Sequence, residues 1–79
     1  MLKPGQYLLK VRKSREMLQK TVSEHIGISA QFYGRIEKDE VELPLKLVKK
    51  CCDFLGADKK KYLRYRVESY KLKITKETK

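Results

Sequence analysis

The sequence predicts an all-α domain, a compact bundle of five short helices. Apolar residues recur three or four positions apart along most of the chain, which is the spacing of one face of a helix. Pro4, Gly27 and Gly56 stand at the edges of these runs, where proline commonly opens a helix and glycine ends one. With 79 residues, the chain is long enough for one small core and no second one.

The first predicted helix opens at Pro4 and ends near Glu16. Leu8 and Val11 lie three positions apart and form its apolar face. Arg12 falls outside that face in the helical pattern. The helical pattern alone therefore predicts that the Arg12 side chain faces solvent.

A second short helix is predicted at residues 19–26, where Val22 and Ile26 share one face. Gly27 can end this helix because glycine tolerates the left-handed backbone conformation. Two positions later, Ser29 is a suitable N-cap, since its hydroxyl can accept a hydrogen bond from a free backbone N–H. The two helices on either side of Gly27 are therefore joined by a tight turn.

The third predicted helix covers about residues 30–38 and directs Tyr33 and Ile36 towards the core. The segment 38–43, KDEVEL, is polar and interrupts the helical pattern. A fourth helix is then predicted at residues 45–55, ended by Gly56.

The last predicted helix begins after Asp58, which can cap it. Leu63, Val67, Tyr70 and Ile74 follow a 4-3-4 spacing, which on a helix forms one apolar stripe and a candidate dimer seam. Within residues 70–75, however, apolar residues also alternate with lysines, which is typical of a short strand. The pattern favours a helix as far as about residue 70, and beyond that residue it fits both a helix and a strand.

Basic residues outnumber acidic ones by 20 to 10, which gives the chain a formal charge of +10 and a sequence pI near 9.8. This balance favours a polyanionic partner: nucleic acid, an anionic membrane surface or an acidic protein. The charge is +3 over residues 1–58 and +7 over residues 59–79. We therefore divide the chain into a helical domain at 1–58 and a basic C-terminal helix and tail at 59–79.

No apolar run approaches the ~20 residues of a membrane-spanning helix. The amino end lacks the pattern of a secretory signal, and the two adjacent cysteines cannot form a loop-closing disulfide framework. We therefore expect a cytoplasmic protein without a membrane partner.

Enzymatic interpretations find little support. His25 stands alone on the polar face of the second helix, with no ligand or catalytic partner at suitable spacing. Cys51 and Cys52 allow a redox switch, but both fit the core pattern of the fourth helix, which favours packing. We expect no catalytic residue, no metal and no cofactor.

One motif is more specific than these patterns, and it consists of Gln19, Ser23, Gly27-Ile28-Ser29 and Tyr33-Gly34-Arg35-Ile36-Glu37 at fixed spacing. This motif resembles the helix-turn-helix of the Cro- and Xre-like repressor family. The resemblance covers about residues 5–57 and implies a lambda-repressor-like fold and a transcriptional regulator that binds DNA. It also implies association with the nucleoid of a bacterial or phage-infected cell. Three positions depart from the family pattern: Glu16 and Asp39 stand where glycine is common, and Leu18 replaces a polar cap.

The resemblance implies a role for several side chains. A recognition helix enters the major groove with its N-terminal residues, while the preceding helix lies across the phosphate backbone. The base-reading candidates are Ser29, Ala30, Gln31, Phe32 and Arg35, and the phosphate candidates are Gln19, Lys20 and Lys38. Phe32 has an alternative role, packing against the second helix or a partner. Arg12 and Glu37 match a structural ion pair that links the first and third helices in the family.

Gly34 stands inside the third helix, where glycine lowers stability relative to alanine. Close approach of this helix to another surface is one explanation for it, and tolerated drift is the other.

Two classes of function follow. The first is a sequence-specific repressor that binds a pseudo-palindromic operator as a homodimer, with Leu63, Val67 and Tyr70 as dimerisation candidates. The alternative role of these three residues is packing back onto the first and fourth helices. The second is an antitoxin-like or accessory module whose main partner is another protein. RNA is a weaker third partner, because its deep and narrow major groove does not admit a recognition helix. The basic tail either contacts DNA phosphates or keeps an amphipathic helix soluble.

Overall fold

The computed structural model describes the backbone of residues 2–77 and the side chains of residues 2–71. Over that part of the chain all regular structure is helical, which confirms the predicted fold class. The five helices are α1 at Pro4–Ser14, α2 at Gln19–Ile26, α3 at Ala30–Glu37, α4 at Leu45–Leu55 and α5 at Lys59–Glu77.

The helix bounds agree closely with the sequence pattern, apart from the last helix. Asp58 caps α5, since its Oδ1 accepts the N–H of Lys61 at 3.2 Å. The helix then continues to Glu77, so residues 70–75 are helical and a strand there is excluded. The side chain of Ile74, the last member of the predicted stripe, lies outside the described residues.

One core holds the helices together and receives apolar side chains from all five. The pattern placed Tyr33, Ile36, Cys51 and Cys52 in this core, and all four are buried. Leu43 is fully buried as well, which the description of segment 38–43 as a polar break in the helical pattern did not predict. The buried apolar side chains are Tyr7, Leu8, Val22, Ile26, Tyr33, Ile36, Leu43, Val48, Cys51, Cys52, Leu55 and Tyr62.

The packing order of the helices decides which faces stay open. α1 contacts α3, α4 and α5, while α2 packs between α3 and α4. The first half of α5 joins the core through Tyr62, and Tyr65 lies 5.4 Å from Tyr7 between ring centroids. The Tyr7 hydroxyl also accepts the N–H of Asp58 at 2.9 Å, which fixes the start of α5 against α1. The outer side of α3 is left uncovered by these contacts.

Candidate nucleic-acid interface

The turn between α2 and α3 is set by three local features. Gly27 adopts the left-handed conformation, with φ of 83°, and nothing lies within 4 Å of where its Cβ would be. Backbone conformation therefore explains glycine here, and close packing does not. The N–H groups of Gly27 and Ile28 donate to the Ser23 carbonyl at 2.9 and 3.0 Å, and Ser29 Oγ accepts the N–H of Phe32 at 3.0 Å. This capped turn fixes the angle between the two helices.

The N-terminal end and outer face of α3 are open to solvent. Ser29, Ala30, Gln31 and Arg35 are at least partly exposed, and Ser29, Gln31, Phe32 and Arg35 line one shallow depression. Phe32 is half-buried and packs against the core, so its ring serves packing and surface together. The structure thus places the base-reading candidates on one continuous surface, and their role stays a prediction.

A buried ion pair joins α3 to α1. Arg12 Nε donates to Glu37 Oε2 at 2.6 Å and Nη2 donates to Oε1 at 3.0 Å, with the side chains only 10% and 2% exposed. Nη1 donates to the Met17 carbonyl at 2.6 Å. Hydrogen bonding to Glu37 raises the pKa of Arg12, although burial acts in the opposite direction. The expectation that Arg12 faces solvent was therefore wrong, because its partner is remote in sequence and leaves no signal in the α1 pattern.

Gln19 extends this contact to α2. Its Nε2 donates to Glu37 Oε1 at 2.9 Å, so one carboxylate holds residues of three helices. Burial, and then the adjacent Glu37, raise the pKa of Tyr33 and keep its hydroxyl protonated. We call the set Arg12, Gln19 and Glu37 the polar brace. It fixes the position of α3 from behind, on the side away from the exposed residues.

A second contact, a hydrogen bond, holds the C-terminal end of α3 against the start of α1. Asp39 has a φ of 61°, and its Oδ1 accepts the N–H of Gly5 at 2.8 Å. Gly5 in turn has no room for a Cβ, which would collide with the Ile36 carbonyl. Glu16, with φ of 55°, is the other left-handed residue that is not glycine in the described part of the chain. These are the two positions at which the sequence departs from the glycine of the family pattern.

Comparison with known proteins agrees with this geometry. A family model described as helix-turn-helix matches residues 8–59, which is more than half of the chain and includes the capped turn. The chain belongs to the helix-turn-helix family. The structure of the clp gene regulator ClgR from Corynebacterium glutamicum aligns with a TM-score of 0.72 at 21% identity, over 95% of this chain and 80% of that one. That likeness shows the shared fold. No curated protein matches the sequence.

The phosphate candidates of the helix-turn-helix occupy two kinds of position. Lys20 and Lys38 are exposed, the first at the start of α2 and the second just after α3. Gln19 is half-buried and already donates to Glu37. A Cβ on Gly34 would lie 3.4 Å from Gln19 Oε1, which is ordinary van der Waals contact. The close approach at Gly34 therefore exists, but it leaves space for alanine.

Away from the helix-turn-helix, α4 and α5 carry an exposed apolar surface. Leu45, Val67 and Tyr70 are 71%, 53% and 54% exposed, and Leu63 is half-buried between them. We call these four residues the α4–α5 apolar surface. It contains the dimerisation candidates, and Leu45 was missed because the pattern only marked it as the start of α4. Two cations, Arg66 and Lys71, border the surface.

The other residues singled out in the sequence have structural surroundings. The His25 ring stacks on Phe54, with 3.9 Å between centroids and 13° between planes. Burial raises the pKa of Cys51 to about 12 and that of Cys52 to about 11, which suppresses the reactive thiolate. Within the described residues, no three His, Cys, Asp or Glu side chains converge on a possible metal position. Nor is any helix described there long and apolar enough to cross a bilayer.

Proposed function

We propose that this chain is a sequence-specific repressor that reads the major groove of duplex DNA with α3. Family membership supports the coarser statement, that a helix-turn-helix regulator binds DNA. The finer statement rests on one observation: exposed donors and acceptors lie at the N-terminal end of α3, and a buried ion pair fixes that helix from behind. A side chain can choose between bases only if its helix has a defined position in the groove.

The exposed residues match the chemistry of base edges. Gln31 can pair with adenine through two hydrogen bonds, and Arg35 can pair in the same way with guanine O6 and N7. Ala30 and the exposed part of Phe32 can touch a thymine methyl group. Lys20 and Lys38 supply phosphate contacts, which add affinity without choosing a sequence.

We further propose that the active species is a two-fold homodimer that binds a pseudo-palindromic operator. One recognition helix touches only a few base pairs, and a second copy one turn away, roughly 34 Å along the duplex, doubles the specific contacts. The α4–α5 apolar surface supports this assembly, since two of its residues, Val67 and Tyr70, are more than half exposed on one face of α5. A second copy would cover them.

The same surface favours a second candidate function, an antitoxin-like module whose main partner is another protein. The two assignments differ in what covers the α4–α5 apolar surface, and only the first requires the isolated protein to select a DNA sequence. We assign the cell interior as the place of action in both cases, with the nucleoid as the target in the first.

Selection of bound fragments from random duplex DNA, followed by salt titration on the selected site, tests the proposal. We expect one enriched motif built from two related halves, with a much higher affinity than for random duplex. The logarithm of the affinity should fall linearly with the logarithm of salt concentration. Fragments that share no motif, bound no more tightly than the starting pool, would contradict sequence-specific recognition and leave the protein partner as the main function.

A further inference from the structure

The C-terminal end of α3 folds back on its own last turn and brings Glu40 beside Arg35. After Asp39 in the left-handed conformation, the N–H of Glu40 donates to the Arg35 carbonyl at 3.0 Å, and the N–H of Asp39 donates to the Ile36 carbonyl at 3.0 Å. This pair of bonds is the pattern of a Schellman turn, which returns the chain over the last turn of the helix. The turn therefore determines where the Glu40 side chain starts.

The Arg35 and Glu40 side chains form a solvent-exposed contact at the candidate interface. Arg35 Nε donates to Glu40 Oε1 at 3.4 Å, and the side chains are 53% and 52% exposed. A guanidinium has five N–H donors in a fixed fork, and this contact uses only the Nε one. Among the described residues, neither Nη1 nor Nη2 of Arg35 has a protein partner. Both terminal amino groups of Arg35, which can bond guanine O6 and N7, are thus unoccupied.

The position of Glu40 also depends on α1. Asp39 is fixed by its hydrogen bond to the Gly5 N–H, and the turn before Glu40 lies directly against the start of α1 at Gly5. The backbone at Glu40 is therefore anchored to the body of the domain as well as to α3. Arg35, in contrast, has four rotatable side-chain bonds and an exposed location, so the contact with Glu40 limits its conformations.

We propose that Glu40 is a specificity-determining positioning residue for Arg35, an inference that rests on the DNA-reading function proposed above. Its first effect is orientation: holding Nε directs the two terminal amino groups outward and lowers the ordering cost when they meet a base. The second effect is electrostatic, because a carboxylate beside Arg35 weakens the attraction of that cation for any phosphate. Both effects favour the cognate base over random duplex.

Glu42, two residues further along the same loop, provides a control for the loss of one exposed carboxylate. It also pairs with an arginine, since Arg66 Nη2 lies 3.3 Å from its Oε2, although the Arg66 side chain is only 14% exposed whereas that of Arg35 is 53% exposed. Its partner belongs to α5 and also donates to the Leu43 carbonyl at 2.8 Å, so this pair has no base-reading residue. Removing Glu42 changes the local charge by the same amount as removing Glu40 and leaves Arg35 untouched.

The test compares wild type with Glu40→Ala, Glu40→Gln and Glu42→Ala on the selected site. The Arg35→Ala variant first identifies the base pair that depends on Arg35, and the preference at that base pair is then measured. Because an exposed pair is weak, we expect Glu40→Ala to reduce that preference by about two- to fivefold and to raise affinity for random duplex. Glu40→Gln keeps an acceptor and should retain most of the preference, whereas Glu42→Ala should retain all of it.

A double-mutant cycle separates positioning from general charge. In an Arg35→Ala background, Glu40→Ala should cause no further change in base preference. Unchanged preference in Glu40→Ala, or a loss that persists without Arg35, would overturn the inference while leaving the DNA-reading function intact. If Arg35→Ala alters no base preference at all, the proposed role of Arg35 fails first and the role of Glu40 fails with it.

Discussion

The two ends of the chain present opposite kinds of surface. The region from α1 to α3 presents mainly polar residues on the outer face of α3 and holds a charged pair inside, with the Arg12 and Glu37 side chains only 10% and 2% exposed. α5 has a tyrosine inside and apolar residues outside, with Tyr62 at 2% and Val67 at 53% exposure. A buried ion pair fixes geometry without adding much net stability. Burial of an exposed apolar surface against a partner, in contrast, is favourable because it removes apolar area from water. We therefore propose that the two regions have separate roles, with α3 choosing the DNA sequence and the α4–α5 apolar surface forming the contact between copies.

The largest expected effect comes from breaking the polar brace. Glu37→Ala leaves Arg12 as an uncompensated buried charge, and loss of one partner in such a pair costs about 3 to 5 kcal/mol. We expect the free energy of unfolding, measured by urea denaturation, to fall by about 3 kcal/mol or more. Loosening of α3 should also reduce discrimination between selected and random DNA.

An exposed ion pair supplies the control for that experiment. Asp53→Ala removes the 2.8 Å contact with Lys49 between side chains that are 63% and 75% exposed, and it should leave the urea midpoint unchanged. Equal destabilisation in both variants would show that the polar brace has no special role in fixing α3.

The next effect in size concerns the α4–α5 apolar surface. Val67→Asp places a charge where a second copy would pack, and since Val67 is 53% exposed the fold should survive. We expect a folded monomer by analytical ultracentrifugation and at least about a tenfold loss of affinity for a two-half site, which is about 1.4 kcal/mol. Weak binding to random duplex should remain.

Val67→Leu keeps the surface apolar and should behave as wild type. A wild type that is monomeric at binding concentrations, and that occupies single half-sites as tightly as full sites, would argue against the dimer. Unfolding of Val67→Asp would instead indicate that this residue packs in the core.

A smaller effect is expected from the basic end of α5. Deleting residues 71–79 removes four lysines and one glutamate. If those lysines meet phosphates, the slope of log affinity against log salt should become shallower by about 0.9 for each lysine–phosphate pair that the deletion removes, with base preference unchanged. An unaltered slope would assign these residues to solubility or assembly.

The smallest effect tests the packing of α3 itself. Gly34→Ala adds a methyl group 3.4 Å from Gln19 Oε1, and alanine is favoured over glycine in a helix by up to about 1 kcal/mol. We therefore expect a slightly higher urea midpoint and unchanged DNA selection. Destabilisation would mean that α3 and Gln19 approach each other more closely than an added methyl group allows.

Features with a local cause were predictable from the sequence. Gly27 and Ser29 mark the turn because their own backbone and side-chain chemistry creates it. Long-range features were harder: Arg12 appeared solvent-facing in its helix because Glu37 lies on α3, and Leu43 is buried although its segment is polar. At residues 70–75 the alternation of lysine with apolar residues fits either period, and the local pattern alone could not decide that the helix continues to Glu77.

The same distinction between local and long-range features applies to the candidate site. The resemblance to the repressor family predicted the Arg12–Glu37 pair and the exposed face of α3, because both belong to the family pattern that residues 5–57 match. It did not indicate Glu40 or Leu45. Their positions depend on the turn at Asp39 and on the way in which α4 and α5 pack, and neither is encoded in a local run of residues.

The central claim, that α3 chooses the base sequence, is tested most directly through Arg35. Affinity is measured for wild type and Arg35→Ala on the selected site, on every single base-pair substitution within one half-site, and on random duplex. We expect Arg35→Ala to abolish the preference at one base pair, to cost roughly 1 to 3 kcal/mol on the selected site and to cost much less on random DNA. An equal loss on selected and random duplex would show that Arg35 serves only as a charge and would contradict the claim.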